Sequence, residues 1–503
     1  MKLASLAARI GVELGEPSDG TVTGFAIDHR KVAPGTVFGA FRGARFNAED
    51  FIPAAVEAGA LAVVAREEAR VDGALHIASE EPRQTFARLA AGFFTPVPDT
   101  IVAVTGTNGK TSTAEMTRQI WRMTGLRAAS IGTLGVTTPD GSISTGLTTP
   151  DIVTFLSNMS GLAREGVTHV AYEASSHGLS QFRNEGLRVV AGAFTNFSRD
   201  HLDYHGTMEA YFEAKMRLFT EVVEPTGIAV IHVGPGEDPW TVKAIECAEK
   251  RGLKVRTVGE GGAFLKLVAR EASQLGQTLT IEHAGETRIV KLPLIGAYQT
   301  ANALVSAALA ISTGAPVSAV FDALGRLQPV RGRLERACLT PKGAPVYVDY
   351  AHTPDALEAA MAALRPHVDT AKAGKLLVAF GAGGDRDTGK RAAMGEVAAM
   401  GADVVIVTDD NPRGEDPATI RTAVLAGTTR GDSAATTREV PGRRDAIAAA
   451  IEAAGANDII LIAGKGHEQG QVIGSGETMQ VLPFDDVEVA RECAAEFGKG
   501  ASS

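Results

Sequence analysis

Residues 105–113 read TGTNGKTST, between the apolar run of residues 101–104 and a helical pattern over residues 114–123. A strand that passes through a glycine turn into a helix N-terminus gathers backbone N–H groups around one point, where the helix dipole also favours an anion. This segment therefore commits the chain to an α/β fold with a phosphate-binding turn. Gly106 and Gly109 let the backbone approach the anion, Lys110 can reach terminal phosphates, and Thr111 or Ser112 can offer a hydroxyl to Mg²⁺. The common spacing GxxxxGK[ST] is not met, because Val104 stands where its first glycine belongs. The loop is a shortened variant.

At 503 residues the chain is too long for one core, and about three domains is the natural expectation. Lys+Arg number 49 against Asp+Glu 59, and aromatics are 5%, which disfavours both phosphate-backbone binding and base stacking by nucleic acid. Arg9 and Glu13 interrupt the first apolar stretch, and Leu3, Leu6, Ala7 and Ile10 follow a helical spacing, so the first residues read as a surface helix and not a signal peptide. No uncharged apolar run approaches the roughly 20 residues that span a bilayer, so no membrane partner is expected. Cys247, Cys338 and Cys493 form neither a disulfide framework nor a zinc site, which fits a reducing cytoplasm.

Composition and pattern divide the chain into three α/β domains. Residues 1–95 carry short strand-like pieces near residues 21–28, 37–41 and 61–65 and an Ala-rich helix near residues 53–58. Pro96 and Pro98 then stiffen a linker. Over residues 96–329, apolar strands near Val102, Val170, Ala193 and Ile228 alternate with helical patterns, which predicts a mostly parallel sheet, with a small antiparallel insertion near residues 264–292. Over residues 330–503 a second doubly wound rhythm begins, with strands at residues 346–350, 376–380, 404–408 and 459–463. Residues 498–503 are expected to be disordered.

Sites in open α/β sheets lie beyond the carboxyl ends of the strands. In the central domain those ends carry Glu173, Ser175 and His177, then Asn196, Arg199, Asp200, His201, Asp203 and His205. A carboxylate such as Glu173 and an imidazole such as His201, brought beside Thr111, can complete a Mg²⁺ site next to the phosphates. Lys215 lies on a helical stretch whose stripe is Tyr211, Phe212, Leu218 and Phe219, and by pattern alone it is an exposed lysine. In the last domain, Arg386, Asp410, Arg413 and Glu468 sit at adjoining strand ends, a set suited to a zwitterion. Gly381, Gly383 and Gly384 are only a fragment of a dinucleotide fingerprint, and tight turns account for them better.

Nine ordered segments carry a resemblance: TGTNGKTST at Thr105, LTTPD at Leu147, EASSHGLSQFR at Glu173, TNFSRDHLDYHGTMEAYFEAK at Thr195, GRLE at Gly332, DYAHTPDAL at Asp349, GAGGDRDTGKR at Gly381, DNPR at Asp410 and GKGHE at Gly464. Over nearly its whole length the chain resembles the Mur ligase family, on the branch that adds meso-diaminopimelate to UDP-N-acetylmuramoyl-L-alanyl-D-glutamate. The resemblance implies an N-terminal domain for the UDP end, a central P-loop ATPase and a C-terminal Rossmann-like domain for the amino acid. It implies a monomeric cytoplasmic enzyme that uses ATP and two Mg²⁺ ions.

By that resemblance Lys110, Glu173, His201 and Lys215 are catalytic, and Thr111, Glu173, His201 and Lys215 hold metal, Lys215 as a carbamate. ATP is assigned Gly106, Thr107, Asn108, Gly109, Lys110, Thr111 and Ser112, with Asn302, Arg333 and Asp349. The nucleotide-linked substrate is assigned Ile27, His29, Leu147, Thr148, Thr149, Ser175, Gln181 and Arg183. The chain departs from the family where Asp28-His29-Arg30 replaces Asp-Ser-Arg. Diaminopimelate is assigned Arg386, Asp410, Asn411, Pro412, Arg413, Gly464 and Glu468. The chemistry agrees, since a distal carboxylate can be clamped by Arg413 and Arg386 while Glu468 takes the distal ammonium.

Overall fold

The apolar run before the glycine turn is a buried strand, Thr100–Thr105, and the turn delivers the chain into a helix, Lys110–Met123, four residues earlier than the periodicity predicts. The reason is the turn itself: Gly109 in the left-handed region starts the helix at once. These elements belong to a computed structural model that describes residues 1–14, 19–43, 46–138, 141–143, 148–385, 387–430 and 433–500. The chain forms two units, one of residues 1–266 with 303–323, the other of residues 267–302 with 324–503.

In the first unit, six parallel strands run in the order Lys254–Gly259, Val223–His232, Val189–Phe194, Thr100–Thr105, His169–Glu173 and Ala128–Gly132. The four strands from Val189–Phe194 to Ala128–Gly132 are almost wholly buried, as parallel strands covered on both faces are. Register decides what meets: Thr105 pairs with Phe194, and Val104 with Glu173. The Gly106 turn, Glu173 and Thr195 therefore emerge side by side at one sheet edge. A parallel four-stranded sheet, Gly24–Ala26, Thr36–Gly39, Ala60–Ala65 and Leu75–Ala78, precedes it. The first of these is shorter than the strand expected over residues 21–28. The N-terminal helix Leu3–Ile10 buries Leu3, Leu6 and Ala7, as its spacing predicts, in a core that continues through Phe86 to Phe155 and Tyr172.

In the second unit, Glu335–Leu339 lies antiparallel to Pro345–Asp349, which begins a parallel run with Ile459–Ala463, Leu376–Phe380, Val404–Val407 and Thr436–Glu439. Ala463 pairs with both Asp349 and Phe380, so Asp349, Gly381 and Gly464 share one edge. The expected antiparallel insertion includes the hairpin of Gly276–His283 and Glu286–Leu292. The last helix, Asp486–Gly500, includes residues 498–500, which corrects the expectation of disorder there; residues 501–503 lie outside the described residues. Among the described residues no helix is long and apolar enough to cross a membrane.

Candidate functional site

Gly106 has φ 142°, and a Cβ there would overlap the Thr195 hydroxyl. The turn needs glycine for both reasons. The next strand end clamps it: Thr195 Oγ1 donates to the Asn108 carbonyl at 2.6 Å, Asn108 N donates to Asn196 Oδ1 at 2.9 Å, and Ser198 N donates to Thr107 Oγ1 at 3.0 Å. No side chain caps the helix that follows, which leaves its first N–H groups for an anion. Thr111 and Ser112 lie buried on its first turn.

Two lysines converge on one carbonyl. Lys110 Nζ donates to Gly106 O at 3.0 Å and to Thr107 O at 2.8 Å, and Lys215 Nζ donates to the same Gly106 O at 2.7 Å. Lys215 is 1% exposed, so the plain-pattern reading of an exposed lysine is wrong. Helix Met208–Arg217 buries Tyr211 and Lys215, four residues apart on one face, and Nζ stands 4.4 Å from the Tyr211 ring centre. Burial, reinforced by the positive charge of Lys110, pushes the Lys215 amine well below the usual lysine range.

Glu173 is 2% exposed and reaches Thr111 through a residue that sequence reading missed, Thr133. Thr133 N donates to Glu173 Oε1 at 2.7 Å, and Thr133 Oγ1 lies 3.4 Å from Glu173 Oε2, 3.0 Å from Thr148 Oγ1 and 3.5 Å from Thr111 Oγ1. His201, at φ 50°, is half-exposed with its ring 5.0 Å from that of His177. Burial lowers its pKa, Asp200 opposes this, and Lys110 and Lys215 add to it. The carboxylate and hydroxyls suit Mg²⁺, and an imidazole is a less usual ligand for that ion. The unmodified Lys215 does not suit it, since its ammonium form brings positive charge and its amine form offers no oxygen ligand. Among the described residues no three His, Cys, Asp or Glu side chains are gathered as a metal site.

Beyond Glu173, the residues assigned to the nucleotide-linked substrate form one polar chain. Thr149 Oγ1 bonds Glu173 O and Ser175 Oγ, each at 2.9 Å; Arg183 Nη1 donates to Thr149 O at 2.9 Å and Nη2 to Gln181 Oε1 at 2.7 Å; Gln181 Nε2 donates to the Tyr204 hydroxyl at 3.0 Å. Leu147 lies outside the described residues. Ile27 packs on the core, while His29 stacks on Phe51 at 4.4 Å and Phe51 on Phe46 at 4.9 Å, an aromatic row that the linear sequence does not reveal.

In the second unit, Asn302 Nδ2 donates to Gln299 Oε1 at 3.1 Å, and Gln299 Nε2 to the Arg333 carbonyl at 3.0 Å. Gln299 had no signal of its own in the sequence. Arg333 lies over the Tyr350 ring at 5.2 Å, and its Nε is buried with no partner among the described residues. Asp349 accepts from Leu334 N at 2.7 Å, and burial raises its carboxyl to about 6, opposed by Arg333 and two backbone N–H groups.

The remaining cluster surrounds Asp410, Asn411, Pro412 and Arg413. Arg413, at φ 50°, donates to the carbonyls of Gly384 at 2.9 Å and Asn411 at 3.4 Å, and it has no carboxylate partner among the described residues. Arg413 N donates to Val472 O at 3.1 Å, pinning the loop to the hairpin strand Gly470–Ile473. Asn411 Nδ2 donates to Glu468 Oε2 at 3.0 Å. Gly464, at φ 121°, leaves room for Asp410 Oδ2, which a Cβ would meet at 2.6 Å. A Cβ on Gly381 would meet Thr408 O at 2.5 Å, so close backbone packing explains that glycine. Arg386 lies outside the described residues.

Comparison with known proteins agrees with this layout. Residues 104–310 match the Mur ligase middle domain and residues 332–466 the Mur ligase glutamate ligase domain. The chain is 57% identical over 491 residues, 98% of each chain, to the UDP-N-acetylmuramoyl-L-alanyl-D-glutamate--2,6-diaminopimelate ligase of Zymomonas mobilis subsp. mobilis. It is 49% identical to the Bradyrhizobium diazoefficiens protein of that name, covering 94% of this chain and 95% of the relative. A solved structure of the same name superposes with TM-score 0.74 at 32% identity over 99% of both chains. With the glycine turn, the buried lysine and the acidic strand end all in place, the chain belongs to the Mur ligase family.

Proposed function

We propose that the chain is an ATP-dependent carbon–nitrogen ligase that joins meso-diaminopimelate to the D-glutamate of UDP-N-acetylmuramoyl-L-alanyl-D-glutamate, a step of peptidoglycan precursor synthesis. The observation that carries this reading is the Gly106 carbonyl holding both Lys110 and Lys215 at an uncapped helix N-terminus. The relatives of that name, similar along nearly the whole chain, support the choice of substrates.

A carboxylate is a poor acyl donor, so phosphorylation by ATP supplies a leaving group, and the amine then displaces phosphate through a tetrahedral intermediate. Both partners in the first step are anions. Lys110 and the helix N-terminus screen them and hold them in line. Thr111, Glu173, His201 and a modified Lys215 would hold the two Mg²⁺ ions, which supply further charge screening on the phosphates. Lys215 is suited to carbamylation because carbon dioxide reacts with a neutral amine, and burial beside Lys110 favours that form. The amine nitrogen bonds the carbon of carbon dioxide and loses a proton to solvent, and the carbamate presents an anionic oxygen pair in place of a neutral nitrogen.

For the amino acid, Arg413 and Arg386 take the distal carboxylate, and Glu468 takes the distal ammonium. Lysine would leave the guanidiniums unpaired, at roughly 1 to 3 kcal/mol or more. The nucleotide contacts given above for residues 106–112, Asn302, Arg333 and Asp349, the UDP-side contacts from Ile27 to Arg183, the division at residues 95 and 329, a monomeric state and a cytoplasmic location complete the proposal. The test is ADP release with the purified chain. It should require the muramoyl dipeptide and diaminopimelate together, with lysine a poor replacement; dependence on a folate and glutamate instead would overturn the reading.

A further inference from the structure

The pocket around Asn411 contains a buried cation that the chemistry above does not use. The Lys465 side chain is 0% exposed. Its Nζ donates to Asn411 Oδ1 at 2.8 Å and stands 3.5 Å from Glu468 Oε2 and 3.7 Å from Asp410 Oδ1. Three of the residues assigned to the amino acid thus meet one ammonium.

Two consequences follow from these distances. Val472 N also donates to Asn411 Oδ1, at 2.9 Å, so two donors converge on one end of the amide. That end must be the oxygen, and the Nδ2 end is turned towards Glu468 Oε2. Lys465 and Asn411 together hold Oε2, while Oε1 has no partner among the described residues. The second consequence is electrostatic. Asp410 and Glu468 bring two negative charges beside Lys465, and Arg443, a cation that acts on all three, is committed to the fully buried Asp486 by bonds of 2.7 and 2.6 Å. Lys465 offsets one of these two carboxylates and leaves the other for an ammonium, while Arg413 is assigned to the distal carboxylate.

We propose that Lys465 is a positioning residue for amino-acid selection: by orienting the Asn411 amide and anchoring one oxygen of Glu468, it presets the other oxygen to receive the distal ammonium of the incoming amino acid. The inference rests on the diaminopimelate reading. It makes Lys465 act through Glu468 and Asn411, with no contact to the reacting atoms.

The experiment compares wild type and K465M for KM and kcat with diaminopimelate and with 2-aminopimelate, which keeps the distal carboxylate and lacks the distal ammonium. K465M should raise KM for diaminopimelate by about tenfold or more while KM for ATP and kcat at saturation stay within about twofold. KM for 2-aminopimelate should be the same in both proteins. An unchanged KM for diaminopimelate in folded K465M overturns the proposal, and so does an equal rise for both acids and ATP, which marks a merely structural lysine. Should K465M melt early, K465Q is read by the same criteria: a rise confined to diaminopimelate supports the role, and no rise or a uniform rise refutes it. Wild type that turns over ATP without needing diaminopimelate defeats the underlying reading instead, and that outcome is visible before any variant is made.

Discussion

Lys215 shows how far one side chain can depart from its local pattern. Its helix carries an amphipathic stripe, yet the lysine is buried against the phosphate turn with a second ammonium close by. Lys215→Ala should lower turnover by about a hundredfold or more, since the carbamate proposed to hold a metal beside the phosphates is lost. Short-chain carboxylic acids should restore part of the rate by occupying the carbamate's place. Normal turnover in the variant, measured as ADP release, would refute the role. Asp349 is a second buried group with a legible cost. Its carboxyl is raised from 3.8 to about 6 by burial, so the folded chain holds a proton that the unfolded chain has released. Stability therefore falls as pH rises through this window, and above it the penalty is about 3 kcal/mol. Asp349→Asn should melt higher than wild type above about pH 6 and lose that advantage towards about pH 4, with a raised KM for ATP. Melting curves whose separation does not change with pH would show that the carboxyl carries no such penalty.

At the scale of the element, the sheet edge assembles the site. Parallel register brings Thr105 beside Phe194 and Val104 beside Glu173, and the loops that follow are thereby neighbours. The glycine turn is the tightest of these junctions. Gly106→Ala should cost about 1 to 3 kcal/mol, because φ 142° strains any side chain and the new methyl overlaps Thr195. The variant should also bind ATP more weakly. Calorimetry of unfolding and of nucleotide binding checks both, and a variant unchanged in either would mean that the loop relaxes without loss. Asp151 serves the helix Ile152–Arg164 in the ordinary way, accepting from Val153 N at 3.0 Å and Thr154 N at 3.1 Å. Its replacement by Ala should cost about 1 kcal/mol in chemical denaturation and leave the KM values unchanged.

Across the whole molecule, chemistry is divided by unit: the phosphate turn, Glu173 and Lys215 belong to the first, and Asp410, Asn411, Arg413 and Glu468 to the second. Changes in the amino-acid pocket should therefore separate kinetically from changes at the phosphates. Arg413→Ala should raise KM for diaminopimelate by about ten- to a hundredfold and leave KM for ATP nearly unchanged, because among the described residues the guanidinium donates only to the carbonyls of Gly384 and Asn411. Equal changes in both constants would make the arginine structural.

Much of this was readable from linear order. A strand, a glycine turn and a helix are local events, set by apolar runs and by residues tolerant of unusual φ, so the phosphate turn, the alternating strands and the polar strand ends could be located by spacing alone. The strand ends also singled out Glu173, His201, Asp410 and Arg413, and motif resemblance then suggested their roles. Burial and partnership were not local. Thr133 reaches Glu173 across 40 residues, Lys465 reaches Asn411 across 54, and Lys215 reaches Gly106 across 109. A hydrogen bond or a desolvated charge depends on what surrounds an atom in space, and side-chain type in sequence carries no record of that surrounding. The chain's own order determined which chemical groups were available and which elements bore them; folding alone decided that two lysines would share one carbonyl and that one amide would be held in a single orientation.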